Sequence, residues 1–136
     1  MRNFIKFKCI LLATILVASC SSDDDTPTVP EDAIQGTWMI TSSVLLGATV
    51  PGDGSSLTFN ACDTTCSGAD YLASDQTTGS FTYSFNDDFT QLTIVDASED
   101  GGSYDGTWEI LELKSSTLRI IVDTGLLGTV QLNMSK

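Results

Sequence analysis

Between Phe81 and Phe85 the chain reads Phe-Thr-Tyr-Ser-Phe, with aromatic and small polar residues in strict alternation. A period of two puts successive side chains on opposite faces, so this segment predicts a half-buried β-strand. The pattern recurs throughout the chain from Ala33 onward. The predicted strands are 36–46, 56–60, 79–86, 91–96, 104–114, 117–123 and 129–135. In the first, Trp38, Ile40, Val44 and Leu46 share one parity; in the last, Val130, Leu132 and Met134 do. Gly, Asp, Asn and Ser clusters punctuate the runs, and no long helical stripe interrupts them. Residues 47–55 read as a loop and 61–78 as a long polar connection. Seven or eight short strands in sequential hairpins predict an all-β fold: an up-and-down antiparallel β-barrel, with a β-sandwich as the alternative. A hydrophobic fraction of 41% suffices for one core.

The first twenty residues have another logic. Arg2, Lys6 and Lys8 make a basic start, residues 9–17 are almost wholly apolar, and Leu16-Val17-Ala18-Ser19-Cys20 follows. The apolar run is shorter than the ~20 residues a spanning helix needs. This segment resembles the bacterial lipoprotein signal. That resemblance implies cleavage before Cys20 (residues 1–19 as signal peptide) and acylation of Cys20 with palmitate-type chains. Several acyl chains on one residue suffice for stable membrane anchoring. Residues 20–32 then read as a linker. Two prolines in Thr26-Pro27-Thr28-Val29-Pro30 favour extended backbone, and like charges in Ser21-Ser22-Asp23-Asp24-Asp25 keep it solvated. Ser22, Asp23, Asp24 and Asp25 also resemble the export signal of Bacteroidetes-type lipoproteins, which implies a lipid-anchored location on the cell-surface side of the outer membrane. The domain proper would occupy 33–136.

Gly36-Thr37-Trp38 opens the first predicted strand and recurs as Gly106-Thr107-Trp108. With Leu57-Thr58-Phe59-Asn60 and the 79–86 strand in order behind it, the domain resembles the lipocalin-like domain of small bacterial lipoproteins. The resemblance implies a barrel with an apolar interior, Trp38 packed across its closed end, and a basic residue near the last strands over that ring. Arg119 is the candidate, although it lies on the opposite parity to Leu118, Ile120 and Val122. A small hydrophobic ligand is the expected partner, with Trp38, Phe81, Tyr83, Phe85 and Trp108 as candidate contacts. The same aromatics could equally fill a core.

Other chemistry finds less support. The chain has no His, which removes the commonest acid–base group and transition-metal ligand, and no nucleophile motif is present. No catalytic residue, cofactor or metal is expected. A net charge of −12 repels phosphate backbones and argues against nucleic acid. Cys62 and Cys66 read as a disulfide in an oxidising compartment, worth about 2 kcal/mol for so short a loop. Asp96-Ala97-Ser98-Glu99-Asp100-Gly101 resembles half a calcium loop, but Thr107 stands where the bidentate Glu belongs, so an acidic hairpin tip is the simpler reading. If the fold were a sandwich, a surface adhesin, complex subunit or inhibitor module would be the functional alternative.

Overall fold

Residues 29–98 and 102–136 are described by the computed structural model. The signal segment 1–19, Cys20, Ser22, Asp23, Asp24, Asp25 and the Glu99-Asp100-Gly101 turn lie outside the described residues. A short helix, α1 (Pro30–Ile34), precedes nine strands: β1 (Gly36–Leu45), β2 (Ala48–Pro51), β3 (Ser56–Phe59), β4 (Ser67–Leu72), β5 (Thr77–Phe85), β6 (Gln91–Asp96), β7 (Gly106–Leu113), β8 (Thr117–Asp123) and β9 (Thr129–Ser135). From β3 onward each strand pairs antiparallel with the next. β1 joins β3 through residues 36–39 and β9 through 39–45, which closes eight strands into an up-and-down barrel. The barrel expectation therefore holds, and the sandwich is set aside. Closure leaves no free edge on those eight strands except where β2 lies.

β2 and β3 run along the same edge of β1 with residues 52–55 between them. Gly52 N–H donates to Thr41 O at 2.9 Å and Ile40 N–H donates to Ser55 O at 3.0 Å, so the ladder persists on both sides of the interruption. Residues 52–55 thus form an enlarged β-bulge between β2 and β3. β2 pairs with β1 alone, and all four of its residues are exposed.

Three local readings need correction. β2 lies in the segment read as a loop, because an exposed four-residue strand shows no alternation. β4 lies in the presumed polar connection: its inward positions are Gly68, Asp70 and Leu72, so two of its three core-facing sites carry no apolar side chain. The parity of β1 also breaks. A bulge between Ile40 and Ser42 on the β9 side turns Ser43 inward opposite Leu132, while Leu46 sits 74% exposed in the turn with φ +52°. α1 begins at Pro30, inside the 20–32 segment.

α1 covers one end of the barrel. Ile34 is fully buried, and its carbonyl accepts the Trp38 indole N–H at 2.6 Å. Lys136 finishes the closure: its Nζ donates to Ala33 O and Gln35 O, both at 2.7 Å, and stands 4.3 Å from the Trp38 ring centroid. The basic residue over Trp38 is therefore Lys136, not Arg119. Arg119 sits on the outer face of β8, its Nη1 3.8 Å from Glu112 Oε2, as its parity dictates. Trp108 repeats the Trp38 device. Both Gly36 and Gly106 have positive φ, each Thr hydroxyl meets a threonine across the ladder (Thr58, Thr93), and Trp108 Nε1–H donates to Tyr104 O at 2.9 Å.

Candidate ligand-binding site at the barrel mouth

Strand direction sorts the connections between two ends. The β3–β4, β5–β6 and β7–β8 connections join α1 at the closed end. The β1–β2 turn, the 52–55 bulge and the β4–β5, β6–β7 and β8–β9 connections surround the other. The closed half is solid. Phe59, Phe81, Tyr83 and Phe85 pack edge to face with centroids 5.0–6.4 Å apart. Tyr83 Oη donates to Asn60 O at 2.7 Å and lies 3.3 Å from Cys62 Sγ. The predicted Cys62–Cys66 disulfide is formed and packs on this aromatic stack.

Towards the other end the filling stops. A cavity of about 220 Å³ is lined by Ile40, Ser43, Leu72, Tyr104 and Leu132 from the barrel and by Val50 of β2. Pro51, Gly52, Asp53 and Ser55 complete its wall, so the bulge between β2 and β3 also makes this space. Trp38, Phe81, Tyr83, Phe85 and Trp108 do not line it; all but half-buried Phe85 are buried in the core. Sequence reasoning missed most of the lining residues: Ile40 and Leu132 looked like ordinary core, and Leu72 lay in the presumed polar connection, whereas Tyr104 was one of the aromatics that could line a cavity.

The rim is acidic. Asp53 Oδ1 accepts Ser55 N–H at 2.9 Å, and hydrogen bonding to Ser55 holds its carboxyl below the usual carboxylate range. Asp96 Oδ1 accepts Ser98 N–H at 2.7 Å, and Asp105 Oδ1 accepts Asp96 N–H at 3.0 Å; the Ser98 contact holds Asp96 low. Burial, with Asp53 and Asp70 nearby, pushes the Tyr104 phenol up. Among the described residues no three Cys, Asp or Glu side chains converge as a metal site.

Asp70 differs from the rest. It faces inward on β4, one pleat from Leu72, is 5% exposed, and its Oδ1 has no hydrogen-bond partner among the described residues. Gly79 on β5 makes room for it, since a Cβ there would lie 2.4 Å from that oxygen. Burial, with Asp96 nearby, raises its pKa. The folded state then holds this proton more tightly than the unfolded chain. The group's stabilising contribution is complete below the unfolded carboxylate pKa and lost as pH rises through the folded one. At pH 7 the ionised group costs stability. Asp70→Asn should therefore stabilise the fold by about 1 kcal/mol at pH 7, or roughly 5 °C in melting temperature for a domain this size. The gain should vanish as pH falls below the unfolded carboxylate range. Thermal melts across pH check this; a variant less stable at pH 7 would show that the carboxylate has a stabilising partner.

An eight-stranded up-and-down barrel capped by a helix, with Gly-Thr-Trp opening the first strand and an interior space at the far end, defines a lipocalin-type binding fold. Residues 34–120 match the lipocalin-like domain family, and the chain belongs to that family. The match ends within β8, and the closing strand β9 lies beyond it. A comparison with curated proteins finds no match.

Proposed function

We propose that this protein is a non-enzymatic, lipid-anchored binding module that holds a small, largely apolar molecule in the mouth of its barrel. The cavity over Ile40, Leu72 and Leu132 carries the reading. An apolar cavity of ~150 Å³ can take a benzene-sized ligand, so about 220 Å³ suits one ring with a short chain. Exposed Leu46, Leu126 and Leu127 stand on the turns beside the mouth and give an arriving apolar molecule a first contact. A neutral probe, 2-phenylethanol, should shift backbone amide resonances around Ile40, Ser43, Tyr104 and Leu132 and leave the closed end unmoved. Ser43→Phe, which fills the cavity from its wall, should abolish the effect. Shifts that persist in Ser43→Phe, or none in the parent, would overturn the reading.

The anchoring part rests on residues 1–25. The basic-apolar-small-Cys20 pattern supports acylation, and Ser22, Asp23, Asp24 and Asp25 support export to the surface of a bacterial outer membrane. The tether would join the barrel at its closed end, where α1 lies, leaving the mouth on the far side. Cys20→Ala should move the protein from the membrane to the soluble fraction. Retention in membranes would end the lipid-anchor reading. Replacing Asp23, Asp24 and Asp25 with Ala should hide the domain from external protease, and unchanged access would end the export reading.

A further inference from the structure

Among the described residues, the three most exposed large apolar side chains occupy two turns at the barrel mouth. Leu46 in the β1–β2 turn is 74% exposed, and Leu126 and Leu127 in the β8–β9 connection are 104% and 67% exposed. The two turns are neighbours: a Cβ on Gly128 would stand 3.4 Å from Leu46 Cδ2. Val50, in the hairpin with Leu46, is 49% exposed and also lines the cavity, so the apolar rim continues into the interior. Exposed leucines scattered singly are ordinary, but a cluster of them beside a cavity marks a contact surface.

Charge and chain length decide what meets this surface. A second copy would bring together two acidic chains, each with 18 Asp and Glu against 6 Lys and Arg. Asp53, Asp105 and Asp123 stand at the same end and would face their counterparts. A zwitterionic lipid surface has no net charge to repel them and takes up apolar side chains at its boundary. It is also within reach. Residues 21–29 separate Cys20 from α1, and a stretch of that length spans up to ~30 Å. β8 is 7 residues long, which is ~23 Å along the strand and less along the barrel axis because strands tilt. A chain leaving the closed end is therefore long enough to pass the flank of the barrel and bring the mouth to the membrane that holds Cys20. We infer that Leu46, Leu126 and Leu127 sit in the lipid surface to which the chain is anchored, so that the cavity opens on the bilayer. An apolar ligand dissolved in the membrane then reaches Val50 and the cavity without crossing water. This rests on the anchor reading above and adds the orientation of the barrel to it.

The test reads orientation in the lipidated protein, reconstituted into phosphatidylcholine vesicles with and without brominated acyl chains. Two variants each add one indole at an exposed position: Leu126→Trp at the mouth and Ser115→Trp in the β7–β8 connection at the closed end. Trp38 and Trp108 are buried and give both the same background. Bromine should quench the added indole of Leu126→Trp about threefold or more strongly than that of Ser115→Trp. Adding Leu46→Glu and Leu127→Glu to Leu126→Trp should lower the quenching to the Ser115→Trp level while the protein still floats with the vesicles. Far-UV circular dichroism confirms that each variant is folded. Stronger quenching of Ser115→Trp, or equal quenching of the two, overturns the inference and leaves the anchor reading standing. Quenching that survives both glutamates overturns the leucines as its cause. If Leu126→Trp escapes bromine and instead blue-shifts as protein concentration rises, a second copy covers the leucines and the inference falls. A protein that does not float with vesicles at all ends the anchor reading and this inference together.

Discussion

Trp38→Ala should cost about 4 kcal/mol, the range for removing a large buried aromatic, and leave the domain largely unfolded near 37 °C. The indole is fully buried against α1, so its loss removes more apolar contact than any other single truncation at the closed end. The damage extends past packing. Ile34 O loses the donor it meets at 2.6 Å, and the Lys136 ammonium loses the ring face beneath it. Trp38→Phe separates these effects. It keeps an aromatic face for Lys136 but not the N–H, and should cost roughly half as much, because an unpaired buried carbonyl carries ~1–3 kcal/mol. Urea unfolding monitored by far-UV circular dichroism would rank the two. If Trp38→Phe proved as damaging as Trp38→Ala, the features lost in both, the indole N–H and the second ring, and not the aromatic face beneath Lys136, would hold the closed end.

The closed half of the barrel could be read from the chain because its inward residues announce themselves. Phe81 and Tyr83 alternate with polar residues, and Gly-Thr-Trp marks the point where a turn ends and burial begins. The mouth could not be read in the same way. Its wall depends on β4, whose inward positions hold Gly68, Asp70 and Leu72, and on the 52–55 bulge, which shifts register by backbone hydrogen bonds that no side-chain pattern encodes. Asp70 in a sequence looks like one more solvated acid among 18. Only the sheet register shows it facing inward. Lys136 was hidden for a different reason: its place over Trp38 depends on β9 closing against β1, a contact between the two ends of the domain. The cysteine pair was legible because two cysteines of a domain read as exported to an oxidising compartment pair by default.

Gly68→Ala should be strongly damaging for the addition of a single methyl. Gly68 is buried on β4, opposite Phe59 on one side and Phe81 on the other. A Cβ added there would lie 2.3 Å from Phe81 Cε2 and 2.5 Å from Thr58 O. The second contact is with backbone of the adjoining strand, which cannot move without breaking the ladder between β3 and β4. The first is with a ring wedged edge to face against Phe59 at 5.4 Å and Tyr83 at 6.4 Å, so relief at Gly68 displaces the whole aromatic stack. Overpacking of this kind typically costs 1–3 kcal/mol, and two unyielding neighbours place Gly68→Ala at about 3 kcal/mol. Phe81 covering an otherwise bare glycine is the arrangement by which an aromatic residue compensates for a weak strand position. Gly68→Ala combined with Phe81→Leu should therefore be less destabilised than the sum of the two single changes, because the smaller side chain vacates the space the methyl needs. A double-mutant cycle from urea midpoints reads the coupling directly. Simple additivity would mean that the Thr58 carbonyl, not the Phe81 ring, is what forbids a side chain at position 68.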